Sequence, residues 1–331
     1  MFATTEWLNL WDKGHRYVLG LLRSEGPDST TYGVTEYELP VTQDGRGTVK
    51  ASISRNEFSV TRLATLPEIT GETDNYSLTG SYDWVRGRTL NFKTSASYTQ
   101  KDVLFQVGEL ASLSTDQVIE NFAVFAEYTQ LWDEQLLLVT GRFGIDQGHM
   151  ISGEVRDQST DFTKLLMNAN VLKRFSIQEN WLTKNRSDFN FVAKMNAQYA
   201  EKFLSSVEQF SLGGPNAVRA FGVSDVSVDS GVYMGFELYF DLPFLPVERI
   251  GLDPLKPYIF YDYAYGVSRG LTTSDRDATV KGYGMGIRLN WAEKVEANLI
   301  LATPSSAFYE DNFLTSEGES RFFLDVTYKV H

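Results

Sequence analysis

The stretch NYSLTGSYDWV, beginning at Asn75, puts Tyr76, Leu78, Gly80, Tyr82 and Trp84 on one parity and Ser77, Thr79, Ser81 and Asp83 on the other. Successive side chains of a β-strand point to opposite faces, so this is a strand with one oily and one wet face. The same alternation returns in TLNFKTSASYTQ, NFAVFAEYTQ, FTKLLMNANVL, DFNFVAKMNAQY, VYMGFELYFDL and KGYGMGIRLNW. About fifteen such segments are legible, and they leave little chain for helices. No window approaches the roughly 18 consecutive apolar residues that a membrane-crossing helix needs. A chain of 331 residues has room for two ordinary domains or one large barrel, and this pattern restricts the choice to all-β architectures.

A soluble antiparallel sandwich also alternates, and the connections separate it from a barrel. WDKGH, TQDGRG, RGR and WDEQ are tight, whereas TRLATLPEITGETD, GELASLSTDQ, HMISGEVRDQST and TPSSAFYEDNFLTSEGES are long and mostly acidic; EGPDS is a short exception on the long side. Short turns at one end and long loops at the other predict a transmembrane antiparallel up-and-down β-barrel of the outer-membrane type. Tryptophan gives a second criterion, because its amphipathic ring collects at the lipid headgroup level. Trp11, Trp84, Trp132 and Trp291 stand beside short turns and are expected to form one girdle; Trp181 stands in a longer connection and Trp7 a few residues further in.

One segment breaks the rhythm. QFSLGGPNAVRAFGVSD, from Gln209 to Asp225, is the core of the longest loop of the long side. FSLGGPNAVRAF, followed by an acidic stretch and then ELYF, resembles the sixth extracellular loop of the two-partner secretion outer-membrane transporters, the TpsB family, which share a superfamily with the barrel-assembly insertases. YIFYDYAYG is similar to that family's pattern of phenylalanine, any residue, aspartate, carried here by Phe260 and Asp262; FTKL and YELPV are weaker similarities. The resemblance implies a barrel of about sixteen strands with this loop folded into the lumen, against about fifteen recognised here. It also implies periplasmic POTRA domains and a first strand upstream, so residues 1–331 are expected to be the barrel domain alone.

Parity supplies a physical reading of the same residues. Phe260, Asp262 and Ala264 alternate with Ile259, Tyr261, Tyr263 and Tyr265, and the aromatic set suits lipid, so Asp262 faces inward. Glu237 alternates with Met234, Phe236, Leu238 and Phe240 and also faces inward. A guanidinium is permanently charged and offers a planar fork of donors, so Arg219 on a loop threading the lumen could bind either carboxylate as a latch. Gly213 and Gly214 permit a tight reversal, Pro215 stiffens the next step, and Val218 and Phe221 complete the loop motif.

Several function classes are excluded. A net charge of -13 argues against a phosphate-coating nucleic-acid binder, whose affinity comes from Lys and Arg. There is no cysteine, and His15, His149 and His331 have no metal-ligand spacing. GYGMG lies within a strand, where a dinucleotide fingerprint has no use, and is read as small residues relieving crowding on the inner wall. NYS and NRS match the glycosylation tripeptide at chance frequency, and no Ser, His and acid set has a local signature. No enzyme, cofactor or metal is expected. MFATTEWLNLWDKGHRY lacks the basic start and apolar centre of a secretory signal. The last strand, RFFLDVTYKVH, is expected to point Phe322, Leu324, Val326, Tyr328 and Val330 outward, ending on His331 where the family commonly ends on phenylalanine. Taken with the resemblance, the expected function is a monomeric pore, in contact with outer-membrane lipid, that secretes a large unfolded exoprotein. The alternatives are an insertase of the same superfamily and a passive porin.

Overall fold

The computed structural model describes residues 2–9, 14–24, 28–60, 69–108, 114–153, 159–177, 187–222, 225–240, 255–269, 275–291, 294–309 and 320–328. They form β1 (Phe2–Leu8), β2 (Arg16–Ser24), β3 (Asp28–Pro40), β4 (Gly47–Val60), β5 (Ile69–Arg86), β6 (Leu90–Val107), β7 (Thr115–Trp132), β8 (Leu137–Ser152), β9 (Asp161–Ile177), β10 (Ser187–Ala200), β11 (Phe210–Ser211), β12 (Ser227–Val228), β13 (Ser230–Phe240), β14 (Lys256–Ser268), β15 (Arg276–Trp291), β16 (Val295–Tyr309) and β17 (Arg321–Tyr328). Among the described residues the one helical piece is a 3-10 turn at Asp133–Gln135, between β7 and β8. Fifteen strands lie in one sheet in chain order, β1 to β10 and then β13 to β17, while β11 and β12 make a separate ribbon within the β10–β13 connection. Chain-order pairing is the up-and-down topology, and the strand count is the one that the alternation predicts.

The strands run longer than the oily segments that announce them, and this corrects the reading of the long loops. β5 begins at Ile69, β7 at Thr115, β8 continues to Ser152 and β16 to Tyr309, each taking in sequence read as connection. At roughly 3.3 Å per residue, 18 residues reach about 60 Å, whereas a tilted membrane strand needs only about 9–11 residues. The outward face shows where the change falls. On β4 and β5, Ile53, Tyr76 and Leu78 are exposed apolar residues. The same face then carries Arg55, held by Glu57 at 2.7 Å, Glu72 at 2.5 Å and Asp74 at 3.4 Å. An ion cluster of this kind is costly in hydrocarbon and ordinary in water, so the ladder continues beyond the apolar zone.

Two irregularities also escape parity. The β5·β6 register shifts between Asp83 and Val85, a bulge that leaves both Trp84 and Val85 exposed although they are neighbours. The β15·β16 register shifts between Lys281 and Gly282, where Pro304 in β16 has no N–H to offer the ladder.

By contact density the chain divides into two units. The first comprises Met1–Gly87, Asn91–Glu127 and Phe143–Leu165. Within it the Asp146 carboxylate is buried against Lys164 Nζ at 3.1 Å and accepts from Asn121 Nδ2 at 3.1 and 3.2 Å. The second comprises Arg88–Leu90, Tyr128–Arg142 and Leu166–His331, and it contains the main apolar cluster. There the alternation of β14 is complete: Tyr258, Phe260, Asp262, Ala264 and Gly266 are buried, while Ile259 and Tyr261 are exposed. On β17 the residues Phe322, Leu324 and Val326 are exposed, and Val330 and His331 lie outside the described residues.

Candidate functional site

The β10–β13 connection folds back over the inward face of its own unit. Its ribbon pairs Phe210 with Val228 and Ser211 with Ser227. Beyond the ribbon, Leu212 N donates to Val226 O at 2.9 Å and Val218 N to Leu212 O at 3.1 Å. Gly214 has φ 114, a conformation closed to residues with a side chain, and its N–H donates to Val218 O at 3.2 Å. Gly213 serves a different need: a Cβ there would stand 2.4 Å from Gly222 O. The loop's Leu212, Ala217, Val218, Ala220 and Phe221 are buried against Tyr233, Tyr239, Tyr258, Phe260 and Val280 of the wall, while Pro215 is exposed. Burial of this apolar set is what makes a loop of so many polar residues dock at all.

Arg219 stands at the centre of the docked face, 6% exposed. Its Nε donates to Asp262 Oδ2 at 2.9 Å and its Nη2 to Asp262 Oδ1 at 2.8 Å, a side-on fork, while its backbone N–H reaches Oδ2 at 3.2 Å. Its third nitrogen, Nη1, donates to Glu237 Oε1 at 2.8 Å. One arginine therefore holds both inward carboxylates. Its guanidinium lies over the Phe260 ring, 3.6 Å from the centroid. Further donors complete the shell: Tyr233 Oη to Asp262 Oδ1 at 3.0 Å, Tyr239 Oη to Glu237 Oε2 at 2.5 Å and Lys194 Nζ to Glu237 Oε1 at 3.3 Å. Glycines of β15 make room for this assembly. A Cβ on Gly282 would come within 2.9 Å of Ala220 Cβ, and Cβ atoms on Gly284 and Gly286 would strike the rings of Phe260 and Tyr258 at 2.5 and 2.4 Å.

Sequence reasoning missed a second anchor at the loop's root. The buried Asp229 carboxylate accepts from Leu204 N at 2.9 Å, Gln209 Nε2 at 3.1 Å and Arg269 N at 2.7 Å. Arg269 Nε in turn donates to Ala200 O at 3.3 Å. Nothing local marks Asp229, because its donors come from the opposite end of the loop, twenty or more residues earlier, and from just past the end of β14. A third tie joins the loop to the last strand of the sheet, from Arg321 Nη2 to Asp225 Oδ2 at 3.0 Å.

Of the tryptophans, Trp84, Trp132 and Trp291 are exposed at the C-terminal ends of β5, β7 and β15, and Trp7 is exposed one residue before the end of β1. Trp7 thus stands at a strand end too, closer to it than its sequence position implied. Trp11 and Trp181 lie outside the described residues. Among the described residues no group of side chains is arranged to hold a metal ion.

The profile of the family described as "Haemolysin secretion/activation protein ShlB/FhaC/HecB" matches residues 25–289. The chain belongs to that family. A curated relative, the heme/hemopexin transporter protein HuxB of Haemophilus influenzae (strain 86-028NP), is 28% identical over 143 residues, 42% of this chain and 24% of the relative. Among solved structures, CdiB from Escherichia coli superposes with a TM-score of 0.77 at 16% identity, over 98% of this chain and 59% of that one. CdiB from Acinetobacter baumannii gives 0.73 at 14% identity, over 98% of this chain and 55% of that one. BamA from Haemophilus ducreyi lacking POTRA domains 1–3 gives 0.63 at 11%, over 98% and 66%. The fold of this secretion-family member is that of an outer-membrane β-barrel, and its inward face is the lumenal one. The chain spans about a quarter of the curated relative and somewhat over half of each CdiB.

Proposed function

We propose that the protein is an outer-membrane translocation pore through which a large unfolded exoprotein, of the adhesin, haemolysin or contact-inhibition toxin type, is secreted, with residues 1–331 serving as the barrel domain. Arg219 is its lumenal latch. The observation that carries the reading is the triple engagement of Arg219 with Asp262, Glu237 and the Phe260 ring on the inner wall. A porin has no need to spend so many buried polar groups on one docked loop, and the family match favours secretion over assembly of other barrels. The barrel acts as a monomer, its oily outward face in lipid, with no catalytic centre and no cofactor.

Charge exchange tests this directly. Arg219→Asp and Asp262→Arg should each abolish secretion of the partner exoprotein and expose the loop to protease in whole cells, and the double variant should restore part of both. Normal secretion by Arg219→Ala, with a loop no more cleavable than the parent's, would remove the latch.

A further inference from the structure

Between the docked loop and the strand end that carries Trp291 lies a cavity of about 360 Å³. Its size falls in the lower part of the range of ligand pockets, roughly 300–1,000 Å³. Arg219 and Glu237, already engaged with each other, close it toward the latch, and Asn298, Tyr258 and Arg288 line it further along. Gly282 is paired with Asp262, and Arg288 follows six residues later on the same face of β15, about 20 Å nearer the Trp291 end.

Arg288 has an unusual setting. Its guanidinium lies over two stacked rings, 4.8 Å from the centroid of Tyr239 and 5.6 Å from that of Tyr258. It is exposed, and it has no carboxylate partner among the described residues. Its cross-strand neighbours are Asn298 on β16 and, on β14, a second cation, Lys256, which likewise has no carboxylate partner among the described residues. Like charges directly opposite one another destabilise a sheet, so the pair is a cost to the fold. Of the inward acids on this wall, Glu237 is held by Arg219, Lys194 and Tyr239, while Asp325 stands one strand beyond Asn298 and Glu296 lies opposite Asn290 in the ladder. In a chain of net charge -13 this is a local excess of cation on a lumenal wall.

We propose that this cavity is a subsite for a carboxylate carried on an extended polypeptide, read by the Arg288 fork. The proposal rests on the secretion reading, which makes an unfolded chain the occupant of the lumen, and it adds the chemistry of the segment that meets the wall beneath the loop. The two tyrosine rings flank the guanidinium, and contact with them restricts its freedom before its free edge takes up a carboxylate bidentately. Lys256 strengthens the field at the same spot. Tyr258 Oη donates to Asn298 Oδ1 at 3.0 Å, which leaves the Asn298 amide hydrogens available for a peptide carbonyl.

The test uses the 331-residue chain folded in detergent micelles, its folded state checked by heat-dependent mobility on gels. Fluorescein-labelled peptides of alternating glycine with glutamate, serine or lysine are titrated against it by fluorescence polarisation. The glutamate peptide should bind in preference to the other two, and more weakly as salt rises. Arg288→Gln should weaken it by roughly ten- to a hundredfold, the range expected for loss of charge-assisted hydrogen bonds. Arg288→Lys should fall between, because an ammonium keeps the charge and loses the fork. Equal binding of the serine peptide, or unchanged affinity in Arg288→Gln, would overturn the subsite. Because binding is read without secretion, the outcome is separable from that of the Arg219 and Asp262 exchange: either can fail while the other stands.

Discussion

Arg219 divides its three nitrogens between two acids, and that division makes it hard to replace. Hydrogen bonds to charged groups contribute on the order of 1.5–3 kcal/mol each, and removing one partner of a buried pair typically costs about 3–5 kcal/mol because the other charge is left behind. Lysine could reach one carboxylate as a point charge, but it cannot hold Asp262 from the side while turning a third donor to Glu237. Arg219→Lys is therefore expected to behave like Arg219→Ala, with strongly reduced secretion and a cleavable loop; near-normal secretion would show that charge alone suffices. Tyr233→Phe takes one donor from Asp262 and leaves the fork, so it should weaken docking by only about 1 kcal/mol, read as a modest rise in loop cleavage rate.

At the scale of elements, the wall is shaped to receive the loop. Gly282 lies where the β15·β16 register shifts, with Ala220 and Val218 against it. Gly282→Leu should lift the loop without altering any charged residue, giving the protease sensitivity of Arg219→Ala in a barrel that still folds. If the loop stays protected, the close approach is not what positions it. The tryptophans belong to this scale as well. Trp84, Trp132 and Trp291 close β5, β7 and β15, and we expect them, with Trp11, to lie at one bilayer depth. Single-tryptophan variants quenched by lipids labelled at different depths would test the girdle, and a spread of depths would dissolve it.

For the whole molecule, the length of the strands determines what meets lipid and what meets water. Ile53 and Glu57 lie on the same outward face of β4, one in the apolar zone and one in the ion cluster around Arg55. The absence of cysteine makes single-site labelling clean. Glu57→Cys should react in whole cells with a membrane-impermeant maleimide, and Ile53→Cys should not. Equal reactivity would mean that the boundary read from the change of face is misplaced. The latch is a small part of the total: the fifteen-stranded ladder holds the barrel, so Arg219→Ala should scarcely change the temperature at which the folded form is lost on gels.

Alternation is a local property, because a strand turns each successive side chain to the opposite face whatever its neighbours are. The strand identities, the inward placement of Glu237 and Asp262 and the conspicuous loop around Arg219 could therefore be read from the chain alone. Strand ends could not, since hydrogen-bonded pairing carries β5, β8 and β16 through polar sequence that has no periodic signal. Nor could the bulge that exposes Val85 beside Trp84. The root anchor at Asp229 and the stacking of Arg288 on Tyr239 and Tyr258 are decided by the register of β13, β14 and β15 and by the path of a returning loop. Those contacts join residues tens of positions apart, and only the folded sheet brings their side chains together.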